Sequence, residues 1–254
     1  IQKTLFQFIL LVEVNMPGFL MFQLLNSTME RQFQSNNQKN EKYATKNSLH
    51  SRIWQHGQQP NCSGTKKILG DEVNILAPQF SNDLSTVAQI EQNIAEAKAY
   101  ASEFKPRIVI GSSFGGFIAT FLTGYLRILI NPCLRPSERL SSLAPTMSYE
   151  ERIKLHFLET SQDIDWIEKI VVHGLFGLND ELFSYLSLFK QLYNEKKAYT
   201  MPCGHRIDLE NIEKHLVPLI RDIMQTFDDD SPIIYHDEEF LSCISRDANN
   251  KGIK

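Results

Sequence analysis

The sequence has little of what marks nucleic-acid-binding or metal-binding proteins. Its 26 basic residues are outnumbered by 30 acidic ones, for a formal net charge of -4, so we expect no basic surface that would contact nucleic-acid phosphates. Its four cysteines show no CxxC spacing, which argues against a zinc cluster and a thioredoxin-like pair. We therefore expect no metal, no nucleic-acid partner, and free thiols in a cytoplasmic protein.

Long apolar runs are also missing. The N-terminal stretch LFQFILLVEVNMPGFLMFQLL is interrupted by Glu13, Asn15 and the pair Pro17-Gly18, short of the roughly 18 to 20 apolar residues that a membrane-spanning helix needs. The start of the chain has neither the strongly basic region nor the A-x-A-like cleavage site of a signal peptide. We expect no stable membrane span and no signal peptide.

Beyond residue 50 the chain alternates between strand-like and helix-like patterns. Residues 85–104 place apolar side chains at helical spacing, and short apolar runs recur in PRIVIG, LRILINP, EKIVVHG and KAYTMP. This alternation predicts an α/β domain whose mainly parallel, doubly wound sheet is covered by helices on both faces. We assign residues 51–227 to this domain, residues 1–50 to an N-terminal extension and polar linker, and residues 228–254 to an acidic C-terminal tail.

The segment RIVIGSSFGGFIA contains a candidate nucleophile. Gly111-x-Ser113-x-Gly115 matches the nucleophile-elbow pattern, and it follows an apolar strand and precedes a helix, as that pattern requires. Glycines on either side of the serine allow a tight, strained turn to form. We predict that Ser113 is a nucleophile; the alternative is an ordinary turn in which the hydroxyl only bonds backbone.

A nucleophilic serine needs a base that an acid orients. His205, in MPCGHRID, follows the last predicted strand, whereas His173 ends the strand EKIVVHG and is the competing candidate. Asp180 and Glu181 both follow that strand, and we select Asp180 because Glu181 falls in the first turn of a predicted helix, where the helix dipole alone favours acids. The order serine, acid, histidine then favours His205.

An oxyanion hole needs backbone N–H groups that face the developing negative charge. The N–H of Phe114, directly after the nucleophile, is one candidate. The N–H of Gln58, after His56 and Gly57 at the end of the predicted strand SRIWQHG, is the second. An ordinary tight turn explains the His-Gly pair equally well.

These motifs resemble the α/β-hydrolase superfamily and, more closely, the small bacterial esterases of the YqiA-like family. The resemblance rests on HGQQPNCSGTK, VIGSSFGGFIAT, ILINPCLRPSERL, GLNDEL and CGHR, and it covers about residues 51–226. It implies an α/β-hydrolase fold that cleaves short or medium acyl esters or thioesters without a cofactor. The implied triad is Ser113, Asp180 and His205.

The sequence departs from this family pattern at two positions. Gln58 stands where an aromatic or aliphatic residue is usual after His-Gly, and Arg206 follows the base where a small residue is common. Between two predicted strands, the insert from Leu134 to about Trp166 is a candidate short cap. Its apolar side chains either line an acyl channel or pack a helix onto the sheet.

Three functions remain open from the sequence. A serine esterase or thioesterase is the leading hypothesis because the nucleophile, acid and base occur in the required order. A binding or scaffolding protein on a hydrolase fold is the alternative from another class, since a fold does not determine a function. An acyltransferase would use the same residues and differ in its acceptor.

Overall fold

The computed structural model describes residues 8–14, 73–143 and 146–226. The strands in these ranges are β1 Phe8–Val14, β2 Val73–Leu76, β3 Ile108–Ser112, β4 Leu126–Ile130, β5 Val172–Gly177 and β6 Ala198–Met201. The helices are α1 Val87–Phe104, α2 Phe114–Thr120, α3 Pro136–Leu143, α4 Tyr149–Thr160, α5 Glu168–Val171, α6 Leu186–Leu192, α7 Leu209–Asn211 and α8 Val217–Thr226. A 3₁₀ turn, Glu195–Lys197, precedes β6, and a π-helical segment, Ile212–Leu216, joins α7 to α8.

The strands form one sheet in the order β2-β1-β3-β4-β5-β6. The four strands from β3 to β6 are parallel to one another, as predicted for an α/β domain. Every residue of β3 and β4 is buried, whichever face its side chain points to. Both faces of the sheet are therefore covered here, which explains why these strands read as continuous apolar runs.

The position of the strand β1 in the sheet contradicts our expectation that residues 1–50 lie outside the folded domain. It runs antiparallel to β2 on one side and to β3 on the other, with Ile9 opposite Gly111. Ile9 and Leu11 are each only 1% exposed. The apolar N-terminal stretch, too short for a membrane span, therefore contains a strand of seven residues, with Glu13 inside it.

A buried ion pair joins β4 to the helical turn α5. The guanidinium of Arg127 contacts the carboxylate of Glu168, and both side chains are almost fully buried. Arg127 also donates to the carbonyl of Thr120, at 2.9 Å, and to that of Tyr125, at 3.2 Å. The sequence predicted a strand at Glu168, but the helical turn there supplies the acid that neutralises this buried arginine.

The insert from Leu134 to about Trp166, between β4 and α5, contains the helices α3 and α4. Leu155 of α4 is fully buried, whereas Tyr149 and Phe157 on the same helix are 69% and 66% exposed. The carboxylate of Glu151 accepts a 2.7 Å hydrogen bond from the N–H of Val87, the first residue of α1. The helix α4 is thus attached to the N-terminus of α1.

No helix within the described ranges is both long and apolar enough to cross a membrane.

Candidate active site

Ser113 lies between β3 and α2 in an unusual backbone conformation. Its φ of 57° and ψ of -123° lie in a region that residues with side chains rarely adopt. Its N–H donates to the carbonyl of Ile130, at 3.0 Å, and its carbonyl accepts from the N–H of Cys133, at 2.9 Å. Such strain costs about 1–3 kcal/mol and tends to occur at functional sites. These hydrogen bonds to Ile130, which ends β4, and to Cys133, in the loop after β4, hold Ser113 in place.

The glycines around Ser113 allow this turn. A Cβ atom on Gly111 would lie 2.5 Å from the carbonyl oxygen of Gly115 and 2.7 Å from the Cβ of Ala119. A Cβ atom on Gly116 would lie 2.7 Å from the Cβ of Pro132. Side chains at these positions would push α2 away from β3 and β4. The lack of room for a side chain at Gly111 explains why the nucleophile-elbow pattern requires glycine there.

The structure brings Ser113, His205 and Asp180 together. The Nε2 atom of His205 lies 3.0 Å from the Oγ of Ser113, and its Nδ1 lies 3.1 Å from both carboxylate oxygens of Asp180. Ser113 is fully buried, and the side chains of His205 and Asp180 are 4% and 5% exposed. With a carboxylate facing Nδ1, we assign the ring proton to Nδ1, which leaves Nε2 free to accept the serine proton. The partner of the Ser113 hydroxyl is thus an imidazole and not the backbone.

The Asp180 carboxylate is itself held by the loop that carries it. Its Oδ1 accepts hydrogen bonds from the N–H groups of Leu182, at 2.8 Å, and Phe183, at 2.9 Å. The ring of Phe183 packs edge-on against the imidazole of His205, with 4.8 Å between ring centroids. The same short loop therefore orients the acid and packs against the histidine.

His173, the competing base, lies in a different environment. It pairs with Ile128, two residues before the end of β4. Its Nε2 lies 3.0 Å from the Nζ of Lys197, and its ring stacks on that of Tyr199. Burial and the Lys197 ammonium lower the pKa of His173 to about 3. This histidine is a buried neutral side chain that accepts a hydrogen bond from a lysine.

Glu181, the competing acid, contacts the histidine backbone and not its ring. Its Oε2 accepts a 2.9 Å hydrogen bond from the N–H of His205, and this bond lowers the pKa of the Glu181 carboxyl. Asp180 and Glu181 are thus adjacent in sequence but bind different parts of the same residue.

The first oxyanion-hole candidate is part of the elbow. Phe114 is the first residue of α2, and the first N–H groups of a helix have no acceptor within it. The predicted second donor, Gln58, and the preceding Gly57 lie outside the described residues. The role of both N–H groups stays a prediction.

In residues 73–143 and 146–226, no three His, Cys, Asp or Glu side chains are grouped to hold a metal ion.

Asn131 is a buried residue at this site that the sequence analysis did not single out. It follows β4 directly, has a φ of 43° and is 1% exposed. Its side-chain amide donates to the carbonyls of Gly204, at 3.1 Å, and His205, at 2.8 Å. Its Oδ1 accepts from the N–H of Gly177, at 2.7 Å. The only sequence signal was an asparagine at the carboxyl end of a predicted parallel strand, where ligands and chemistry gather.

Comparison with known families supports the resemblance in part. The model of a family described as "Uncharacterised protein family (UPF0227)" matches residues 65–166, less than half of the chain. This is a family of YqiA-like esterases and belongs to the α/β-hydrolase superfamily. The matched segment includes Ser113 and Asn131 but ends before Asp180 and His205. No curated protein matches the chain.

Proposed function

We propose that the protein is a serine hydrolase with an α/β-hydrolase fold that cleaves carboxylic esters or thioesters of small to medium acyl groups. The observation that carries this proposal is the chain of contacts from the Ser113 hydroxyl through the His205 imidazole to the Asp180 carboxylate, at 3.0 and 3.1 Å. General-base catalysis requires about 2.6–3.2 Å between the base and the heavy atom that carries the proton, and the distance from His205 Nε2 to Ser113 Oγ, 3.0 Å, meets this requirement.

The reaction would proceed through an acyl-enzyme. His205 Nε2 takes the Ser113 proton as Oγ attacks the carbonyl carbon, and the N–H of Phe114 stabilises the resulting oxyanion. The C–O or C–S bond then breaks, and His205 returns the proton to the departing alcohol or thiol. Water, deprotonated by His205, then attacks the acyl-enzyme; the bond between the acyl carbon and Ser113 Oγ breaks, His205 returns the proton to Oγ, and the acid is released. Asp180 keeps the imidazole oriented and stabilises its charged form.

The size of the cap supports the proposed substrate class. The insert consists of the two short helices α3 and α4, and α4 is attached to α1 through Glu151 and Val87. A large mobile lid, suited to bulky lipid substrates, would need a longer insertion. The cap therefore favours small or medium acyl groups.

A fluorophosphonate probe tests the proposal directly. We expect the wild-type protein to be labelled and Ser113→Ala to remain unlabelled, with both proteins showing the same circular dichroism spectrum. A folded wild type that resists labelling would contradict a hydrolase function and favour a binding or scaffolding role. For a labelled protein, p-nitrophenyl esters and acyl-CoA thioesters of graded length define the acyl group. Product formed with an added alcohol or thiol would identify acyl transfer.

A further inference from the structure

The main chain of His205 is held from both sides by side chains. Its N–H donates to Oε2 of Glu181, at 2.9 Å, and its carbonyl accepts from Nδ2 of Asn131, at 2.8 Å. His205 lies in a bend that belongs to no helix or strand. The regular backbone ladder that fixes a residue in a strand is missing at this position, and these two side chains take its place.

Asn131 ties this bend to the sheet. Its own N–H donates to the carbonyl of Leu175 in β5, at 3.0 Å, so its backbone is anchored beside the strand ends. Its side chain reaches the carbonyls of Gly204 and His205 with its donors and the N–H of Gly177 with its acceptor. Gly177 ends β5, three residues before Asp180. One buried amide therefore connects the loop that carries the base to the loop that carries the acid.

The backbone conformation of Asn131 would by itself favour glycine. The hydrogen bonds of its side chain therefore explain why asparagine occupies this position. At a φ of 43°, glycine would avoid the steric cost that any other residue bears. Asparagine tolerates this conformation better than most residues, and it also supplies two N–H donors and an acceptor in fixed geometry. Glycine would relieve the strain but would leave the carbonyls of Gly204 and His205 without this partner.

We propose that Asn131 and Glu181 are positioning residues that together fix the His205 imidazole between Ser113 and Asp180. This inference rests on the proposed hydrolase function. Neither side chain touches the reacting atoms; both act on the peptide groups that flank the His205 Cα. A displacement of about 1 Å at a reacting group can cost about 100-fold in rate. Loss of either contact should therefore reduce the rate of chemistry more than the affinity for substrate.

Four variants test the positioning role. We expect Asn131→Gly, which removes the amide and relieves the backbone, to lower kcat and the rate of fluorophosphonate labelling by about 100-fold at unchanged KM. Asn131→Asp, which has no N–H to donate, should be similarly slow. Glu181→Ala should also lose rate, and Glu181→Gln should recover most of that loss because its amide oxygen still accepts from the His205 N–H.

Lys105→Gly is the matched control for the relief of backbone strain at a residue with positive φ. Lys105 also has a positive φ, 51°, but it caps the C-terminus of α1, so its replacement should change stability without changing kcat. A spectroscopic measurement separates positioning from folding. The low-field proton resonance of His205 Nδ1–H, hydrogen-bonded to Asp180, should shift or broaden in Asn131→Gly while the protein remains folded.

The outcomes distinguish this inference from the proposed function. If the wild type is labelled and Asn131→Gly and Glu181→Ala react at the wild-type rate, the positioning role is wrong and the hydrolase stands. An unchanged Nδ1–H resonance in Asn131→Gly would overturn the role as well. If the wild type is never labelled, the proposed function is wrong, and the positioning role falls with it.

Discussion

The Oγ atom of Ser113 lies 3.0 Å from Nε2 of His205 although 92 residues of chain separate them. Ser112, the adjacent serine, has a different place: it ends β3 and lies opposite Phe8 and Ile130 in the sheet. Of the two consecutive hydroxyl groups, the one with an imidazole partner is therefore that of Ser113.

We expect the two serine variants to behave very differently. Ser113→Ala removes the nucleophile and should reduce the hydrolysis of a p-nitrophenyl ester by about 10⁶-fold. Ser112→Ala removes a hydroxyl at the end of a strand and should keep most of the activity. Initial rates and circular dichroism spectra of both variants provide the measurement. An inactive, folded Ser112→Ala beside an active Ser113→Ala would reverse the assignment.

Replacing the acid should change the tautomer of the base. In Asp180→Asn, Oδ1 can still accept from Leu182 and Phe183, but the new amide presents N–H to His205 Nδ1. The imidazole proton then moves to Nε2, which can no longer accept the serine proton, so kcat should fall by about 10⁴-fold. Steady-state kinetics at neutral pH test this expectation.

Asp208→Asn is the matched control for that substitution. Asp208 follows His205 in the same loop and caps α7 by accepting from the N–H of Asn211, a role that asparagine fills equally well. We expect its kcat to remain at the wild-type value. If Asp180→Asn also retains it, the acid lies elsewhere, and Glu181 becomes the candidate to test.

The features that the sequence predicted are those with local signals. The elbow combines a strand, two glycines and a helix within a few residues, and it occurs where the pattern indicated, with a positive φ at Ser113. The parallel strands β3 and β4 were visible as apolar runs because every residue in them is buried. In each case the physical requirement acts on consecutive residues, so it leaves a pattern in them.

The features that the sequence did not predict depend on distant partners. β1 gains its place by pairing with strands far along the chain, such as Ile9 with Gly111. Asn131 binds a carbonyl 74 residues away, and Glu181 an N–H 24 residues away. No local pattern marks such hydrogen bonds, because an asparagine or a glutamate after a strand has many other uses. Their roles become visible only when the loops are assembled.

The buried pair of Arg127 and Glu168 should be important for stability. Removing one partner leaves a buried charge without compensation, which costs about 3–5 kcal/mol. We therefore expect Glu168→Gln to lower the free energy of unfolding by about that amount in urea titrations. Arg127→Met should cost at least as much, because it also removes a donor from the carbonyl of Thr120 at the end of α2.

An exposed pair on the same molecule serves as the control. Oε1 of Glu210 lies 2.7 Å from Nζ of Lys214, but the two side chains are 72% and 65% exposed. Water and salt screen such an exposed pair, so it contributes little to stability. Glu210→Gln should leave the urea midpoint nearly unchanged. Equal effects of Glu168→Gln and Glu210→Gln would show that the burial of the first pair has no energetic weight.

His173 should make the stability of the protein depend on pH. It is 4% exposed, its Nε2 accepts from Lys197, and within the described residues its Nδ1 has no hydrogen-bond partner. The low pKa of His173, about 3, means that the folded protein keeps this ring neutral. In the unfolded chain the ring takes up a proton near its ordinary value of about 6.5. Between about pH 3 and pH 6.5, the unfolded state therefore binds one more proton at His173 than the folded state does.

We expect the free energy of unfolding to fall as the pH drops from about 6.5 towards 3, with His173 contributing about 1 kcal/mol per pH unit. Above pH 6.5 the ring is neutral in both states and full stability is present; below pH 6.5 the unfolded chain alone takes up the proton, which lowers the free energy of unfolding. His173→Gln keeps an acceptor for Lys197 and removes the titrating group, so its urea midpoint should depend less steeply on pH over this range. Parallel pH profiles for the wild type and His173→Gln would show that protonation of His173 is not linked to unfolding.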